Sequence, residues 1–332
     1  MSRLAIIGAG SWGAALAITL APRFSSVALW ARLPERAAEI SAARENRRYL
    51  PGAVLPANVE VSSDLRIILK SGRIVLMVVP SKYLRTAAAD VREYAEPGAL
   101  FVSAVKGIEE GTLARMSSVL TDVLGDQLST PVAVLSGPTF AKEVAAGEPA
   151  AVVVACSEIR VAEHLQQAFS TSCLRLYTTD DMIGVEIGAA LKNVIAIGAG
   201  ICQGLGLGGN SVAALVTRGL AEITRLAVAM GGEPRTLAGL AGLGDLVLTT
   251  TGDLSRNRFV GVELGRGKNI SDVLGSMTMV AEGVPTCRAA HVLGQRFAVD
   301  LPIINKMNEI LYESKDARVA MRELMDRPLT RE

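Results

Sequence analysis

Histidine is nearly missing from this chain: 332 residues contain two, His164 and His291. Zinc centres and Ser-His-Asp triads both lean on imidazole, so neither is expected, and no metal site is. His164 follows Glu163 in a polar amphipathic stretch, and His291 sits mid-helix near Arg288 and Arg296. Both read as structural or solvated, so any proton carrier is another residue type. Cysteine is sparse too: Cys156, Cys173, Cys202 and Cys287 are widely spaced with no C-x-x-C pair. They fit reduced, mostly buried thiols of a cytosolic protein better than a disulfide framework. Charge of one sign is also lacking. Lys+Arg number 34 and Asp+Glu 33, a net +1, which excludes the broad basic surface of a nucleic-acid binder but leaves room for a local basic pocket. Finally, no long apolar run is free of polar groups. Residues 188–209 come nearest, yet carry Lys192 and Asn193 and are dense in glycine, so no membrane span is expected. The apolar run of the N-terminal MSRLAIIGAG is too short for a signal peptide, and a cytoplasmic location is expected.

What is present is apolar bulk: half the residues are hydrophobic, though only 4% are aromatic. That is enough side chain for a sizeable core, and the length allows about two domains. The first half alternates short β-rich runs (residues 4–7, 27–30, 74–79, 100–105, 132–135 and 151–155) with helical patterns at 13–20, 34–44 and 112–124. Continuous apolar runs suit strands covered on both faces, and the alternation predicts a doubly wound, mostly parallel α/β sheet. Beyond Asp180 strand-like runs thin out, and residues 183–200, 211–230, 284–296 and 302–313 read as helices. The expected organisation is a Rossmann-like α/β domain over 1–180 and an all-α domain over 181–332, with Thr178–Asp181 at the boundary.

Gly8-Ala9-Gly10-Ser11-Trp12-Gly13 matches G-x-G-x-x-G directly between a strand-like and a helical run. Gly8 allows the tight turn, Gly10 the approach of a pyrophosphate, and Gly13 close helix–strand packing, with the helix N-terminus facing the anion. The alternative is a tight βα turn with incidental glycines. At the end of the second strand, where an NAD enzyme shows an acid, the chain reads Trp30-Ala31-Arg32-Leu33-Pro34. A guanidinium there favours NADP(H), or tolerance of NAD(H) as well; a solvated loop arginine is the alternative.

Lys106 follows the run 100–105, and Ser136-Gly137-Pro138-Thr139-Phe140-Ala141 follows the run 132–135. Ligands of an open parallel sheet bind outside the carboxyl ends of its strands, where this lysine and this turn would stand; a surface lysine and a plain turn are the alternatives. Lys192, in Gly188-Ala189-Ala190-Leu191-Lys192-Asn193-Val194, has small and apolar residues on nearly every helical face. Burial lowers an ammonium pKa, which a general acid/base working near pH 7 needs; a snorkelling lysine at a helix end is the alternative. Asn193 points elsewhere, toward backbone or cofactor. The glycine-rich loop 239–246 brings a single carboxylate, Asp245, which can stand beside a lysine. Ser255-Arg256-Asn257 offers a helix start, a guanidinium and an amide to an anion. For either segment alone, a structural loop is an equal alternative.

Together and in this order, Gly-Ala-Gly-Ser-Trp-Gly, Ser-Gly-Pro-Thr-Phe-Ala, Gly-Ala-Ala-Leu-Lys-Asn-Val and Gly-Leu-Gly-Asp-Leu followed by Ser-Arg-Asn resemble the NAD(P)-dependent glycerol-3-phosphate dehydrogenases of the bacterial biosynthetic type. The resemblance runs from about residue 3 to 320. It implies reduction of dihydroxyacetone phosphate to glycerol 3-phosphate for the phospholipid backbone, with Ser11, Trp12 and Arg32 on the dinucleotide. Lys106 would reach cofactor and substrate, Gly137 and Thr139 the substrate, and Ala141 the cofactor. Lys192 would carry the proton beside Asp245, while Ser255, Arg256 and Asn257 hold the phosphate, Arg256 also nearing the cofactor. Val280 and Glu282 correspond to a segment folded over the dinucleotide; nothing in composition or spacing points to them. Thr139 stands where the family has Ser or Thr. A small-molecule phosphate is thus the expected partner, and by analogy with other glycine-rich helical domains a homodimer is expected.

Two rivals remain at this point. A β-hydroxyacid or 6-phosphogluconate-type dehydrogenase also joins a Rossmann domain to a catalytic lysine, but places Asn four residues after it, where this chain has Ala196. A non-catalytic NAD(P)-binding sensor would need neither the lysine nor the anion clamp.

Overall fold

The computed structural model describes residues 3–70 and 72–329. The described chain divides into two compact units, one ending at Lys106 and resuming over Ala114–Glu186, the other formed by Gly107–Leu113 and the chain from Ile187 onward.

The first unit is built on β1 (Arg3–Ile7), α1 (Ser11–Leu20), β2 (Ser26–Trp30), α2 (Pro34–Ala43), β3 (Val59–Ser62), α3 (Leu65–Leu69), β4 (Gly72–Met77), α4 (Leu84–Arg92), β5 (Leu100–Ser103), α5 (Met116–Leu124), β6 (Ala133–Ser136), α6 (Ala141–Ala145), β7 (Ala150–Ala155), α7 (Ile159–Phe169) and β8 (Leu174–Thr179). The eight strands form one sheet in the order β3-β2-β1-β4-β5-β6-β7-β8. Every pairing is parallel except β6 with β7. Chain direction out of β1 reverses across the β1–β4 step, the switch point at which such sheets bind ligands. Side chains alternate across β1: Leu4 and Ile6 join a core with Leu16 and Leu20 of α1. Ala5 and Ile7 join an opposite core with Leu84 of α4 and Leu120 of α5. Covering both faces is what lets the central strands be apolar throughout.

The second unit is helical. It takes up α8 (Met182–Gly204) from Ile187 onward, then α9 (Gly209–Ala229), α10 (Pro234–Leu237), a π-helical turn at Leu240–Gly244, α11 (Asp245–Thr251), α12 (Arg256–Gly265), α13 (Ile270–Gly275), α14 (Gly283–Arg296), α15 (Pro302–Tyr312) and α16 (Ala317–Met325). Among the described residues α8 alone is long and apolar enough to cross a membrane, and its apolar window is wholly buried inside the molecule.

Three local expectations are corrected. Strand β5 stops at Ser103, so Lys106 stands beyond the strand rather than at its end. The helix expected from residue 112 begins at Met116. The glycine-rich segment before Asp245 is a helical turn leading into α11, not an open loop. A side chain at Gly242 would lie 2.1 Å from the Leu237 carbonyl oxygen, so only glycine permits this turn to pack so closely.

Candidate active site

In the first unit the glycine loop joins β1 to α1. Gly8 has φ +124°, and a Cβ there would sit 2.6 Å from the Val78 carbonyl oxygen; one on Gly13 would sit 1.9 Å from the Gly8 carbonyl oxygen. Sterics therefore enforce glycine at both ends of the loop. At Gly10 a Cβ would meet nothing within 4 Å. The loop thus presents open space over the start of α1, whose first turn has no side-chain cap, and it fits a dinucleotide pyrophosphate. Buried Asn46 braces the loop, its Nδ2 donating to the Ala9 carbonyl at 2.8 Å. Its Oδ1 accepts from the Tyr49 amide at 3.3 Å. No sequence signal marks Asn46, because its partner lies 37 positions away.

Ser11 and Trp12 are half-buried at the start of α1. Trp12 and Ala141 pack on the same small cluster of Ala14, Ala15 and Leu50, so three expected cofactor positions, Ser11, Trp12 and Ala141, lie around α1. Arg32 is exposed past β2, with its guanidinium 5.5 Å from the Tyr83 ring centre. Lys82 stands 4.7 Å from the same ring. Arg48 and Arg36 lie 5.3 and 6.0 Å from the ring of Tyr49. Arg36 is paired with Glu39 through Nη1, while its buried Nη2 has no hydrogen-bond partner. No single stretch of sequence marks the basic and aromatic side chains beyond Arg32, because they come from three separate segments.

Lys106 donates from Nζ to the Gly137 carbonyl at 3.0 Å, and the Thr139 hydroxyl donates to the same oxygen at 3.3 Å. Three expected substrate residues thus converge on one turn. Gly137 has φ +148°, and a Cβ would meet Val152 Cα at 2.9 Å.

The second unit holds the expected proton carrier. Lys192 is 6% exposed and Asp245 fully buried. Lys192 Nζ donates to Asp245 Oδ1 and to Thr249 Oγ1, each at 2.6 Å. The Thr249 hydroxyl donates in turn to the Asp245 carbonyl at 2.6 Å. Asp245 and Thr249 share one face of α11, four residues apart; that spacing is the signal that could have found Thr249. Burying an ammonium is tolerable because the carboxylate and hydroxyl replace its water.

Ser255 caps α12, its Oγ accepting from the Arg258 amide at 3.2 Å. Arg256 is exposed as a residue, yet crowding of its guanidinium by surrounding protein lowers its pKa, and the nearby Glu282 carboxylate opposes that fall. Asn257 is buried, its Nδ2 donating to Asn193 Oδ1 at 2.9 Å and its Oδ1 accepting from the Gly283 amide at 2.9 Å. Gly283 opens α14 directly after Val280 and Glu282, so the expected phosphate and cover segments touch.

The sheet with its switch-point glycine loop, and the helical unit with its buried lysine–carboxylate pair, define a nicotinamide-dinucleotide oxidoreductase. Family models agree: the NAD-dependent glycerol-3-phosphate dehydrogenase N-terminus matches residues 3–162 and the C-terminus residues 181–322. The chain belongs to this family. It is 52% identical to a glycerol-3-phosphate dehydrogenase [NAD(P)+] of Koribacter versatilis (strain Ellin345), covering 100% of this chain and 99% of the relative. It is 50% identical to one of Geobacter sp. (strain M21), covering 99% and 98%. A crystal structure of glycerol-3-phosphate dehydrogenase from Coxiella burnetii superposes with TM-score 0.93 at 38% identity, covering 98% of this chain and 99% of that one.

Proposed function

We propose that this chain reversibly reduces dihydroxyacetone phosphate to sn-glycerol 3-phosphate with NAD(P)H. The observation that carries the proposal is the buried Lys192–Asp245–Thr249 cluster in a chain of this family. The hydride for C2 is what a bound reduced nicotinamide supplies. Lys192 protonates the C2 oxygen as it becomes an alkoxide, and takes the proton back in the reverse direction. Asp245 and Thr249 hold Nζ in place for that transfer. Ser255, Arg256 and Asn257 take the phosphate: a capped helix start, a guanidinium and a carboxamide suit a dianion. Lys106, Gly137 and Thr139 complete the substrate contacts.

Gly8, Gly10, Ser11, Trp12, Gly13, Ala141 and Arg32 would hold the dinucleotide, Lys106 and Arg256 near its reacting end, with Val280 and Glu282 covering it. Residues 1–180 act as the dinucleotide-binding domain and 181–332 as the substrate-binding and catalytic domain. The cationic side chains Arg32 and Lys82 beside Tyr83, and Arg36 and Arg48 beside Tyr49, support NADP(H) over NAD(H), because a 2′-phosphate suits guanidinium and ammonium groups. A cytoplasmic homodimer fits the burial of α8 and the partly exposed Val212, Leu215, Val216 and Leu220 of α9; sedimentation velocity measures the dimer. Initial rates with dihydroxyacetone phosphate and with 3-oxoacids, using each reduced cofactor, test the activity. Turnover of the ketose phosphate is expected; turnover of 3-oxoacids alone, or cofactor binding without turnover of either, contradicts it.

A further inference from the structure

We infer that Asn193 is a positioning residue for the phosphate end of the site, acting through Asn257; this rests on the assignment of residues 255–257 to the substrate phosphate. Asn193 and Asn257 are 5% and 8% exposed, so each carboxamide must find its partners inside the protein. They find them in a chain. Asn193 Nδ2 reaches back to the Ala189 carbonyl one turn earlier in α8, at 3.5 Å. Asn193 Oδ1 accepts from Asn257 Nδ2, and Asn257 Oδ1 accepts from the Gly283 amide.

The order of donors and acceptors fixes the geometry. A backbone N–H can only donate, so Gly283 demands the oxygen of Asn257, and Asn193 must then offer an acceptor to the nitrogen. Turned over, the Asn257 carboxamide would set N–H against N–H at Gly283 and oxygen against oxygen at Asn193. Locked this way, one N–H of Asn257 serves Asn193 and the other stays available to an anion. Nothing wedges into the junction: a Cβ on Gly283 would lie 2.6 Å from the Asn193 carbonyl oxygen and 2.9 Å from Asn257 Oδ1. Three assigned segments therefore meet at one buried point. These are α8 next to Lys192, the first turn of α12, and the start of α14 just after Glu282.

Kinetics of Asn193→Ala, Asn257→Ala and the double variant test this, with NADPH affinity and Tm measured alongside. Losing the acceptor frees the Asn257 carboxamide, so Asn193→Ala is expected to raise KM for dihydroxyacetone phosphate about tenfold with kcat little changed. Asn257→Ala is expected to raise it further, and the double variant to match Asn257→Ala alone, because Asn193 acts only through Asn257. If Asn193→Ala does not fold, Asn193→Leu, with the same branching and without the acceptor, is held to the same outcomes. A raised KM in Asn257→Ala with an unchanged KM in Asn193→Ala overturns the inference alone, as do single effects that multiply in the double variant. A lowered Tm with unchanged KM in Asn193→Ala shows a merely structural role and likewise overturns it. An unchanged KM in Asn257→Ala overturns the phosphate assignment and the inference with it.

Discussion

Three buried charged side chains meet their desolvation in three ways. Lys192 has a carboxylate and a hydroxyl. Glu186 has the Arg115 guanidinium and, at 2.7 Å each, the amide and hydroxyl of Ser117. Glu222 has two backbone amides at the start of α15, Ile303 at 2.7 Å and Ile304 at 3.1 Å. Those amides do not offset burial, which pushes the Glu222 carboxyl up to about 7; nearby Arg225 opposes the rise and Asp300 adds to it. Since the folded value lies above the unfolded one, the folded chain binds the extra proton between them. Its stabilising effect is complete below about pH 4.5 and is lost as pH rises through about 7. Asn and Gln cannot ionise, so Glu222→Gln should flatten the fall in Tm between pH 5 and 8 relative to the unsubstituted chain. Parallel Tm curves for the two proteins would remove Glu222 from the account.

At the scale of elements, α8 and α12 meet through backbone. A Cβ on Gly261 would lie 1.9 Å from the Ile197 carbonyl oxygen, and one on Gly200 would lie 2.1 Å from that of Arg258. This contact sets the helix of Lys192 against the helix of Arg256. Gly261→Ala must force the pair apart, and a loss of about 1–3 kcal/mol in urea unfolding is expected; an unchanged midpoint would show that the crossing yields freely. The same scale explains what the sequence made legible. Central strands such as β1 and β4 were visible as unbroken apolar runs because both faces are covered. Strands β3 and β8, at the two sheet edges, alternate buried with exposed residues, so they were absent from the apolar runs. Lys192 stood out as one charge in an apolar helix, and Asp245 as the lone carboxylate among glycines. The partners of Asn46 and Asn257 did not, since each is set by packing across dozens of residues. Val280 and Glu282 came only through the family resemblance.

For the whole molecule, a net charge of +1 conceals strong local charge. The first unit gathers Arg32, Arg36, Arg48 and Lys82 around two tyrosines, and the second buries the Lys192 ammonium against the Asp245 carboxylate. Balanced composition therefore coexists with anion chemistry, and scarce histidine with proton transfer. The most direct measurement is kcat of Lys192→Ala at saturating dihydroxyacetone phosphate and NADPH, with NADPH affinity determined on the same protein. We expect kcat to fall by about 10²–10⁴ while NADPH binds as before. A kcat equal to that of the unsubstituted chain would contradict the assignment of the proton to Lys192.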